Sequence, residues 1–548
     1  MNPIVYLPLD ERPCNYRFPT LLADLTDLKL VLPPPGLMGR KKEPSDPDGI
    51  REWLLASTAT AEYAILSIDQ LVYGGIVPSR LHHRTEGECM ERLMLLKRVK
   101  EMNPTLQLYA FNLIMRAPAY SSSEEEPEYY ALFGSELCER GKLLDKGQAG
   151  LSGEERSRLD ELLKIVPAEV IREFDDRRRT NARINEAAVD LANEGILRSL
   201  TIPLDDNAEF GFTSMEQRRL RSKVVSMNLT SAVSIYPGAD EIGCTLFAKV
   251  FAEVKKYRPS VHVRYSSTRG PLVIPKYEDR SLHESVKAHL HEAGANMADH
   301  SAAAEAVLMV HAPAVDGPHA AEADDAYERR HRSYHTEINV SSFADALQHE
   351  LESGKVVSLA DVALSNGADF VLLNLLNARG LLPGLVSYAG WNTSGNSLGT
   401  VIAHTVIESY YRTVGRTEDS VHRRRNSRLN YLYRLLDDWA YQADIRKRMC
   451  ENVLPGLEAD YFRLAHVKTE VEQAIERELN EFIERTICPV FGESYLLTNV
   501  ELPWDRMFEL SFQLGTRTTA GRGNEVGTET IACMTGLAPE RVSEQGDS

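Results

Sequence analysis

Residues 232–256, AVSIYPGADEIGCTLFAKVFAEVKK, combine a short apolar run, a turn and a helical pattern. Residues 232–236 are typical of a buried strand, and the Pro-Gly-Ala sequence at 237–239 ends it. Apolar residues then recur at helical spacing up to residue 256. Such a strand, turn and helix unit is the repeating element of an α/β fold with a parallel sheet.

Similar apolar runs, each followed by polar residues or by Gly and Pro, recur along the chain, at residues 4–9, 28–32, 63–68, 106–115, 200–204, 261–265, 306–310, 356–359, 370–373 and 385–388. Helical patterns fall between many of them, so we predict an α/β fold with a mostly parallel sheet. A (β/α) barrel-like core is favoured, because charged residues follow many strands, as ring closure would allow. Two open-sheet α/β lobes are the alternative, because more strands are predicted than one barrel holds.

The predicted organisation is an α/β catalytic core over residues 1–414, with a helical insertion at 121–197 and, in the two-lobe alternative, a boundary near 258–275. Residues 415–517 are predicted to form a helical C-terminal region with a short β element, and residues 518–548 a flexible tail. The insertion could roof the active site or form a peripheral hairpin. Residues 70–80 contain a Gly pair and are expected to form a loop over the site, not a helix.

The composition excludes several classes of protein. The net charge of −18, from 62 basic and 80 acidic residues, disfavours nucleic acid and anionic membrane surfaces as partners. The seven cysteines are dispersed and form no CxxC pair, which is typical of reduced thiols. No apolar stretch is long enough to span a membrane, and no signal peptide is recognised, so a cytoplasmic location is expected.

Ligands of parallel α/β folds bind at the carboxyl ends of the strands. The residues at the predicted strand ends include many carboxylates and two arginines but no lysine, which favours a polar, hydroxyl-rich or cationic ligand. The predicted catalytic residues are Asp205, Asp206 and Asp240. The predicted substrate-binding residues are Asp10, Glu11, Arg12, Asp69, Arg116, Asn207, Glu241, Trp391, Asn392 and Asn396. The five aspartates of these sets are expected to converge on one pocket.

The adjacent pair Asp205 and Asp206 is the sharpest of these signals. Two neighbouring carboxylates repel each other, so the pKa of one should be raised and suited to acid/base work. Pro203 cannot donate to a sheet ladder, which predicts that the pair lies in a loop, with Asp206 deeper in the pocket. Helix capping is the alternative for this pair, and for Asp240 with Glu241.

The segment 387–400, SYAGWNTSGNSLGT, is the second constellation. Its small residues would let backbone N–H groups approach a ligand at a helix N-terminus, and Trp391 offers a flat face for a sugar ring or a base. Tight packing of the helix on the sheet is the alternative explanation. No phosphate-binding, dinucleotide-binding, HExxH or GxSxG motif is present. No cofactor or metal ligand is therefore predicted, with carboxylate-bound Mg²⁺ or Mn²⁺ as the alternative.

Four strings together carry a family resemblance: LPLDERPCN at 7–15, PLDDN at 203–207, PGADE at 237–241 and AGWNTSGN at 389–396. Over about residues 3–515 the chain resembles a bacterial family known as domain of unknown function DUF4127. The resemblance implies a single-family architecture defined by these motifs, and it adds no reaction.

Three functions are compatible with these residues. The first is a glycoside hydrolase-like enzyme in which Asp205 and Asp206 act as the acid/base and orienting pair on a carbohydrate substrate. The second is a hydrolase or lyase that uses carboxylate-bound Mg²⁺ or Mn²⁺. The third is a non-catalytic binding protein for a polar small molecule.

Overall fold

A computed structural model of the chain describes residues 3–517, so the predicted tail at 518–548 lies outside the described residues. The first sheet is built from β1 (Ile4–Leu7), β2 (Leu30–Val31), β3 (Tyr63–Ser67), β4 (Gln107–Phe111), β5 (Ser199–Leu204) and β6 (Val233–Pro237). All of its neighbouring strands are parallel, in the order β2-β1-β3-β4-β5-β6. Strands β1 and β5 are buried along their whole length, as expected for a sheet that is covered on both faces.

The second sheet contains β7 (Ser260–Tyr265), β8 (Asn296–Ala298), β9 (Ala306–His311), β10 (Val356–Asp361) and β11 (Ser387–Ala389). It is also parallel, in the order β11-β10-β9-β7-β8. A separate antiparallel hairpin, formed by β12 (Tyr495–Glu501) and β13 (Ser511–Thr516), lies near the end of the described chain.

The α/β class with mostly parallel sheets is confirmed, but the preference for a barrel is wrong. Each sheet has two free edges, β2 and β6 in the first and β8 and β11 in the second, so the architecture is that of two open sheets. In each sheet the strand order reverses beside the first strand, β1 or β7. Such switch points leave a crevice at the carboxyl ends of the strands, where ligands bind in open α/β sheets.

The α-helices that accompany the first sheet are α1 (Pro13–Ala23), α2 (Pro47–Thr58), α3 (Ile68–Tyr73), α4 (Ile76–Leu81), α5 (Glu86–Leu93), α6 (Leu95–Met102), α7 (Tyr130–Gly147), α8 (Gly153–Ile165), α9 (Ala168–Asn193), α10 (Phe212–Ser226) and α11 (Ile242–Lys255). Those that follow are α12 (Leu282–Glu292), α13 (Ser333–Thr336), α14 (Val340–Glu352), α15 (Phe370–Ala378), α16 (Ser394–Thr413), α17 (Val421–Arg434), α18 (Arg446–Asn452), α19 (Lys468–Phe482) and α20 (Cys488–Phe491). Two π-helical segments, Leu435–Ile445 and Ile483–Ile487, continue α17 and α19.

Two local predictions are wrong. Residues 70–80 form the ends of α3 and α4, which are separated by Gly74 and Gly75 with φ of 98° and 137°, so the Gly pair makes a corner between two helices. Residues 370–373 belong to α15, where Asp369 caps the helix by accepting a hydrogen bond from the backbone N–H of Val371. A short apolar run alone does not distinguish a strand from a buried helix.

Helices α11 and α16 pack closely because two glycines of α16 face the end of β6 and the start of α11. A Cβ atom on Gly395 would lie 2.8 Å from the carbonyl oxygen of Pro237, and one on Gly399 would overlap the side chain of Glu241. The segment after β6 and the segment after β11 are therefore in direct contact, although they belong to different sheets. Over residues 3–517, no helix is both long enough and apolar enough to cross a membrane.

Candidate functional site

A cavity of about 430 Å³ lies at the carboxyl ends of strands from both sheets. Segments that follow β1, β3, β4, β5 and β6 line it from the first sheet, and segments that follow β7, β10 and β11 line it from the second. Its charged and amide side chains are Arg12, Arg80, Arg116, Glu124, Glu125, Asp205, Asp206, Asp240, Glu278, Asn366, Asn392, Asn396 and Arg506. Its aromatic side chains are Tyr120, Tyr277, Tyr461, Phe462 and Phe508. We call it the strand-end cavity.

A more open groove of about 620 Å³ lies between α7, α9 and α10. Its walls come from α7 and α9 of the insertion and from α10, and not from strand ends, and one of its arginines, Arg140, is held by Asp175 at 2.7 Å. The convergence of strand ends therefore favours the strand-end cavity as the functional site.

Asp205 and Asp206 reach the strand-end cavity from a loop, because β5 ends at Leu204. Arg80 donates to Asp205 at 2.8 Å, and Arg116 donates to Asp206 at 3.0 Å. Asp206 is not the deeper of the two, since its side chain is 19% exposed and that of Asp205 is 13% exposed. The two carboxylates are thus held by two different guanidinium groups.

A network of alternating charges joins these arginines to the C-terminal region. Arg80 and Arg116 both donate to Glu125, at 2.8 and 3.0 Å, and both also contact Glu126. Arg506, which precedes β13, forms a further ion pair with Glu125. Charge-assisted hydrogen bonds of this kind hold a planar guanidinium in one orientation.

Arg12 is the centre of a second, buried part of the network. Its guanidinium donates to Asp10 at 2.8 Å, to Asp240 at 2.6 Å and to Glu509 at 3.3 Å. The indole ring of Trp504 contacts two guanidinium groups, and its centroid is 4.6 Å from that of Arg12 and 4.7 Å from that of Arg506. Cation–π contacts of this kind bind the C-terminal segment to the loop after β1.

Asp240 is held from several directions. Arg12 and the side-chain amide of Asn15 donate to its carboxylate, and Asn392 from the second sheet donates to Oδ2 at 3.1 Å. Asn396 accepts a hydrogen bond from the backbone N–H of Asp240 at 3.0 Å. Burial raises the pKa of Asp240; Arg12 opposes the shift, and the nearby Asp10 and Asp205 add to it.

Burial also raises the pKa of Asp206. The Arg116 guanidinium opposes that shift, and the neighbouring Asp205 carboxyl adds to it. A raised pKa at an adjacent acid pair agrees with the argument from the sequence, although burial is the larger cause.

Glu278 is a carboxyl of different character. It is 5% exposed and lines the cavity, and Ser285 donates to its Oε2 at 2.5 Å. Within the part of the chain that the structure describes, its Oε1 has no hydrogen-bond partner. Burial raises the pKa of Glu278 to about 7. This side chain can therefore hold a proton near neutral pH and release it.

Four residues that line the cavity have left-handed backbone conformations that side chains rarely adopt: Asp206, Tyr277, Asn366 and Asn392, with φ of 41°, 69°, 64° and 67°. Backbone strain of this kind is known to concentrate at active sites and ligand clamps. Asparagine and aspartate tolerate the conformation better than other residues, but Tyr277 does not share that tolerance.

Of the residues predicted from the sequence, seven line the strand-end cavity: Asp205, Asp206, Asp240, Arg12, Arg116, Asn392 and Asn396. The other six do not: Asp10, Glu11, Asp69, Asn207, Glu241 and Trp391. The expected convergence of five aspartates therefore holds for three of them. Asp10 binds Arg12, and Asp69 accepts hydrogen bonds from the segment that follows β4.

The reasons are local contacts. Glu11 accepts a hydrogen bond from the indole N–H of Trp504 at 2.6 Å. The side-chain carbonyl of Asn207 accepts from the hydroxyl of Ser214, and Glu241 accepts from the backbone N–H of Ala239. The ring of Trp391 packs on Phe508, with the ring centroids 5.2 Å apart, so it supports the cavity wall from behind.

Asp69 accepts from the backbone N–H of Leu113 at 2.9 Å and from the Asn112 amide. We predict that Asp69→Asn makes the stability of the protein less dependent on pH. Burial raises the pKa of Asp69 to about 7, whereas an unfolded aspartate has a pKa of about 4. The carboxyl therefore stabilises the folded state fully below about pH 4, and that contribution is lost as the pH rises through about 7.

The measurement is the difference in Tm between Asp69→Asn and the wild-type protein. It should move in favour of the variant between about pH 5 and about pH 8, because asparagine has no proton to lose. Other buried acids contribute equally to both proteins and cancel. A difference that stays constant over this range would show that Asp69 does not titrate as the structure indicates.

Most of the ion-pair network is formed by residues that were not predicted from the sequence, namely Arg80, Glu125, Glu126, Arg506 and Glu509. Two features of the sequence could have indicated these residues. They are the acidic run at 124–126 and the charged residues within the apolar segment 502–514. Glu278 was visible only as part of an irregular charged segment, YEDR at 277–280.

The carboxylates of this site are not arranged as the ligands of a metal ion. Over residues 3–517, no group of three or more His, Cys, Asp or Glu side chains is arranged to hold a metal ion. The cavity carboxylates Asp205, Asp206 and Asp240 face guanidinium groups instead. The donor set thus does not fit the Mg²⁺ or Mn²⁺ alternative.

Comparison with known proteins gives one match. No curated protein and no solved structure matches the chain. The family described as "Protein of unknown function (DUF4127)" matches residues 4–513, a range that includes every segment of the strand-end cavity. The chain therefore belongs to the DUF4127 family of proteins of unknown function.

Proposed function

We propose that this protein is a hydrolase that acts on a polar, carbohydrate-like small molecule by acid/base chemistry in the strand-end cavity. The observation that carries the proposal is that three carboxyl groups with raised pKa, those of Asp206, Asp240 and Glu278, line one cavity. Enzymes shift carboxyl pKa values towards the working pH by burial, so that one group can both give and take protons.

The roles follow from the environment of each group. Glu278 is the proton donor, because its pKa of about 7 keeps much of it protonated near neutral pH. It protonates the leaving oxygen as the bond to that oxygen breaks. Asp206 takes a proton from the attacking water, whose oxygen forms the new bond. Asp205, paired with Arg80, orients Asp206 and the water.

The remaining cavity residues bind the substrate. Asp240 and Asn392 hydrogen-bond to hydroxyl groups of the substrate. Both line the cavity, and their side chains are held in place by a hydrogen bond to each other and by the ion pair of Asp240 with Arg12. Tyr277 and Phe508 supply flat faces for a sugar ring, a role that the sequence assigned to Trp391.

A panel of nitrophenyl glycosides, including N-acetylhexosaminides, tests this proposal. The wild-type protein should release nitrophenol from at least one member, Glu278→Gln should not, and Asp160→Asn, an exposed acid on α8, should match the wild type. Sugars that bind without any turnover would instead indicate the non-catalytic binding protein. Activity that is lost on chelation and restored only by Mg²⁺ or Mn²⁺ would indicate the metal-dependent alternative.

We predict that Ser285→Ala raises the pKa of Glu278 further, because the hydrogen bond from Ser285 lowers it in the wild-type protein. The pKa is measured by following the side-chain carboxyl ¹³C resonance of Glu278 against pH, and the basic limb of the pH–rate profile should move in the same direction. Ser281→Ala is the matched control on the same helix, since Ser281 makes no side-chain capping bond to it. A fall in the pKa would contradict the assignment.

A further inference from the structure

We infer that the ligand of the strand-end cavity carries an ammonium group as well as hydroxyl groups, because carboxyl groups outnumber basic groups around the cavity and aromatic side chains line its wall. This inference rests on the proposed function for its site. It narrows the substrate class to hydroxylated amines, of which a sugar with a free amino group is the carbohydrate form.

The charge balance is the first argument. The cavity and the network behind it contain nine carboxyl groups, those of Asp10, Glu124, Glu125, Glu126, Asp205, Asp206, Asp240, Glu278 and Glu509, and five basic groups, those of Arg12, Lys41, Arg80, Arg116 and Arg506. The neighbouring pairs Asp279 with Arg280 and Glu322 with Lys276 are balanced and leave the excess unchanged. The site is therefore negative when all its groups are ionised.

The arginines of the cavity are not arranged to bind an anionic ligand. Arg80 contacts Glu125, Glu126 and Asp205, and Arg116 contacts Glu125, Glu126 and Asp206. Arg12 and Arg506 share Glu509 and each binds a further carboxylate. Since each guanidinium already faces at least two carboxylates, an anionic ligand would have to displace them.

Burial is the main cause of the raised pKa of Asp206, Asp240 and Glu278, and at least one neighbouring acid raises each pKa further. The groups around Asp206 are Arg116, Asp205, Arg80 and Glu125; those around Asp240 are Arg12, Asp10, Asp205 and Asn15; those around Glu278 are Ser285, His289, Arg280 and Asp279. A ligand ammonium can replace the bound protons, because a nearby positive charge favours the ionised form of a carboxyl. Binding of such a ligand is therefore coupled to proton release.

Two further observations point to a ligand. Glu278 is 5% exposed and lines the cavity, and its Oε1 lacks a hydrogen-bond partner among the described side chains and backbone groups. Tyr120 and Phe462 are 48% and 45% exposed at the cavity, although large aromatic side chains are usually covered. Aromatic faces beside carboxylates are the recurrent environment of bound ammonium groups.

Calorimetric titration of the wild-type protein with 6-amino-6-deoxyglucose and with glucose tests the inference. The two sugars differ only at C6, where the amino sugar has an amine in place of the hydroxyl group of glucose. We expect the amino sugar to bind at least about tenfold more tightly than glucose at about pH 8. Its affinity should fall about tenfold or more towards about pH 5.5, as the cavity carboxyls take up protons, while the affinity for glucose changes little.

Variants and competitors make the test specific. Asp206→Asn and Glu278→Gln should each reduce the preference for the amino sugar, and Asp69→Asn, which removes a buried acid outside the cavity, should retain it. Equal binding of both sugars, an affinity for the amino sugar that does not depend on pH, or no binding of the amino sugar would overturn the inference. Loss of its binding in MgCl₂ but not in an equal ionic strength of NaCl would also overturn it, because the bound cation would then be a metal.

The inference and the proposed function fail in different ways. Hydrolysis of neutral glycosides without preference for an amine would leave the hydrolase and refute the ammonium ligand. Tight, pH-dependent binding of the amino sugar with no hydrolysis of any amino glycoside would support the inferred ligand class and contradict the proposed hydrolase function.

Discussion

Asp206→Asn is expected to lower turnover by about 10²-fold or more while the protein remains folded. The carboxylate of Asp206 lines the cavity and accepts from Arg116 at 3.0 Å. Asparagine keeps the size and one acceptor oxygen, but it cannot take a proton from water. The measurement is kcat with the best substrate from the glycoside panel, together with Tm for each variant.

Asp205→Asn should lose turnover to a similar extent, because Asp205 orients the pair and contributes to the raised pKa of Asp206. In the wild-type protein, the acidic limb of the pH–rate profile should report Asp206 coupled to its neighbour and not an isolated carboxyl. Asp69→Asn is the matched control, since it also replaces a buried acid with a raised pKa but leaves the cavity unchanged.

If both variants of the pair unfold and turnover per folded molecule is unchanged, Asp205 and Asp206 have a structural role. Asp240 would then replace Asp206 as the catalytic partner of Glu278, since both line the same cavity.

Arg12→Met is expected to destabilise the folded protein by about 3–5 kcal/mol. Arg12 is 4% exposed, and its removal leaves Asp10, Asp240 and Glu509 buried without their shared positive charge. Methionine retains much of the apolar length of the side chain, so the lost free energy comes mainly from the unpaired carboxylates. The measurement is the midpoint and slope of unfolding in urea.

Arg51→Met is the matched control, because Arg51 has a side chain that is 51% exposed and pairs with the exposed Asp48 one helical turn away. Its effect should stay within about 0.5 kcal/mol. The loss in Arg12→Met should be smaller at about pH 5 than at about pH 8, because the unpaired carboxyls can then be neutralised by protons. A loss below about 1 kcal/mol at both pH values would show that Arg12 does not organise the site.

The choice between a barrel and two open sheets could not be made from the strand ends. In a barrel, charged residues from many strands meet at one rim. In this protein they also meet, because segments after five strands of the first sheet and three of the second line one cavity. The two architectures therefore place the same kind of residue after the same kind of strand, and strand pairing alone separates them.

The direction in which each side chain points could not be predicted from the sequence either. Glu11 and Arg12 are neighbours after β1, yet Arg12 lines the cavity while Glu11 binds Trp504. Asp69 follows β3 as Asp205 follows β5, but α3 begins at Ile68 and directs the Asp69 carboxyl to the backbone of Leu113. The sequence predicts how far a residue lies from the end of a strand. The path of the loop that follows the strand depends on the segments packed against it, which the sequence does not show.

What the sequence determined by itself is the α/β class and the supply of acids at strand ends, because both follow from local periodicity and from the residues that end each apolar run. What only the tertiary structure decided is which charges meet. Arg12 and Glu509 are separated by 497 residues and still form an ion pair. The pKa of each carboxyl, and with it the chemistry proposed for the cavity, depends on burial and on charges a few ångströms away, and these arise only when distant segments fold together.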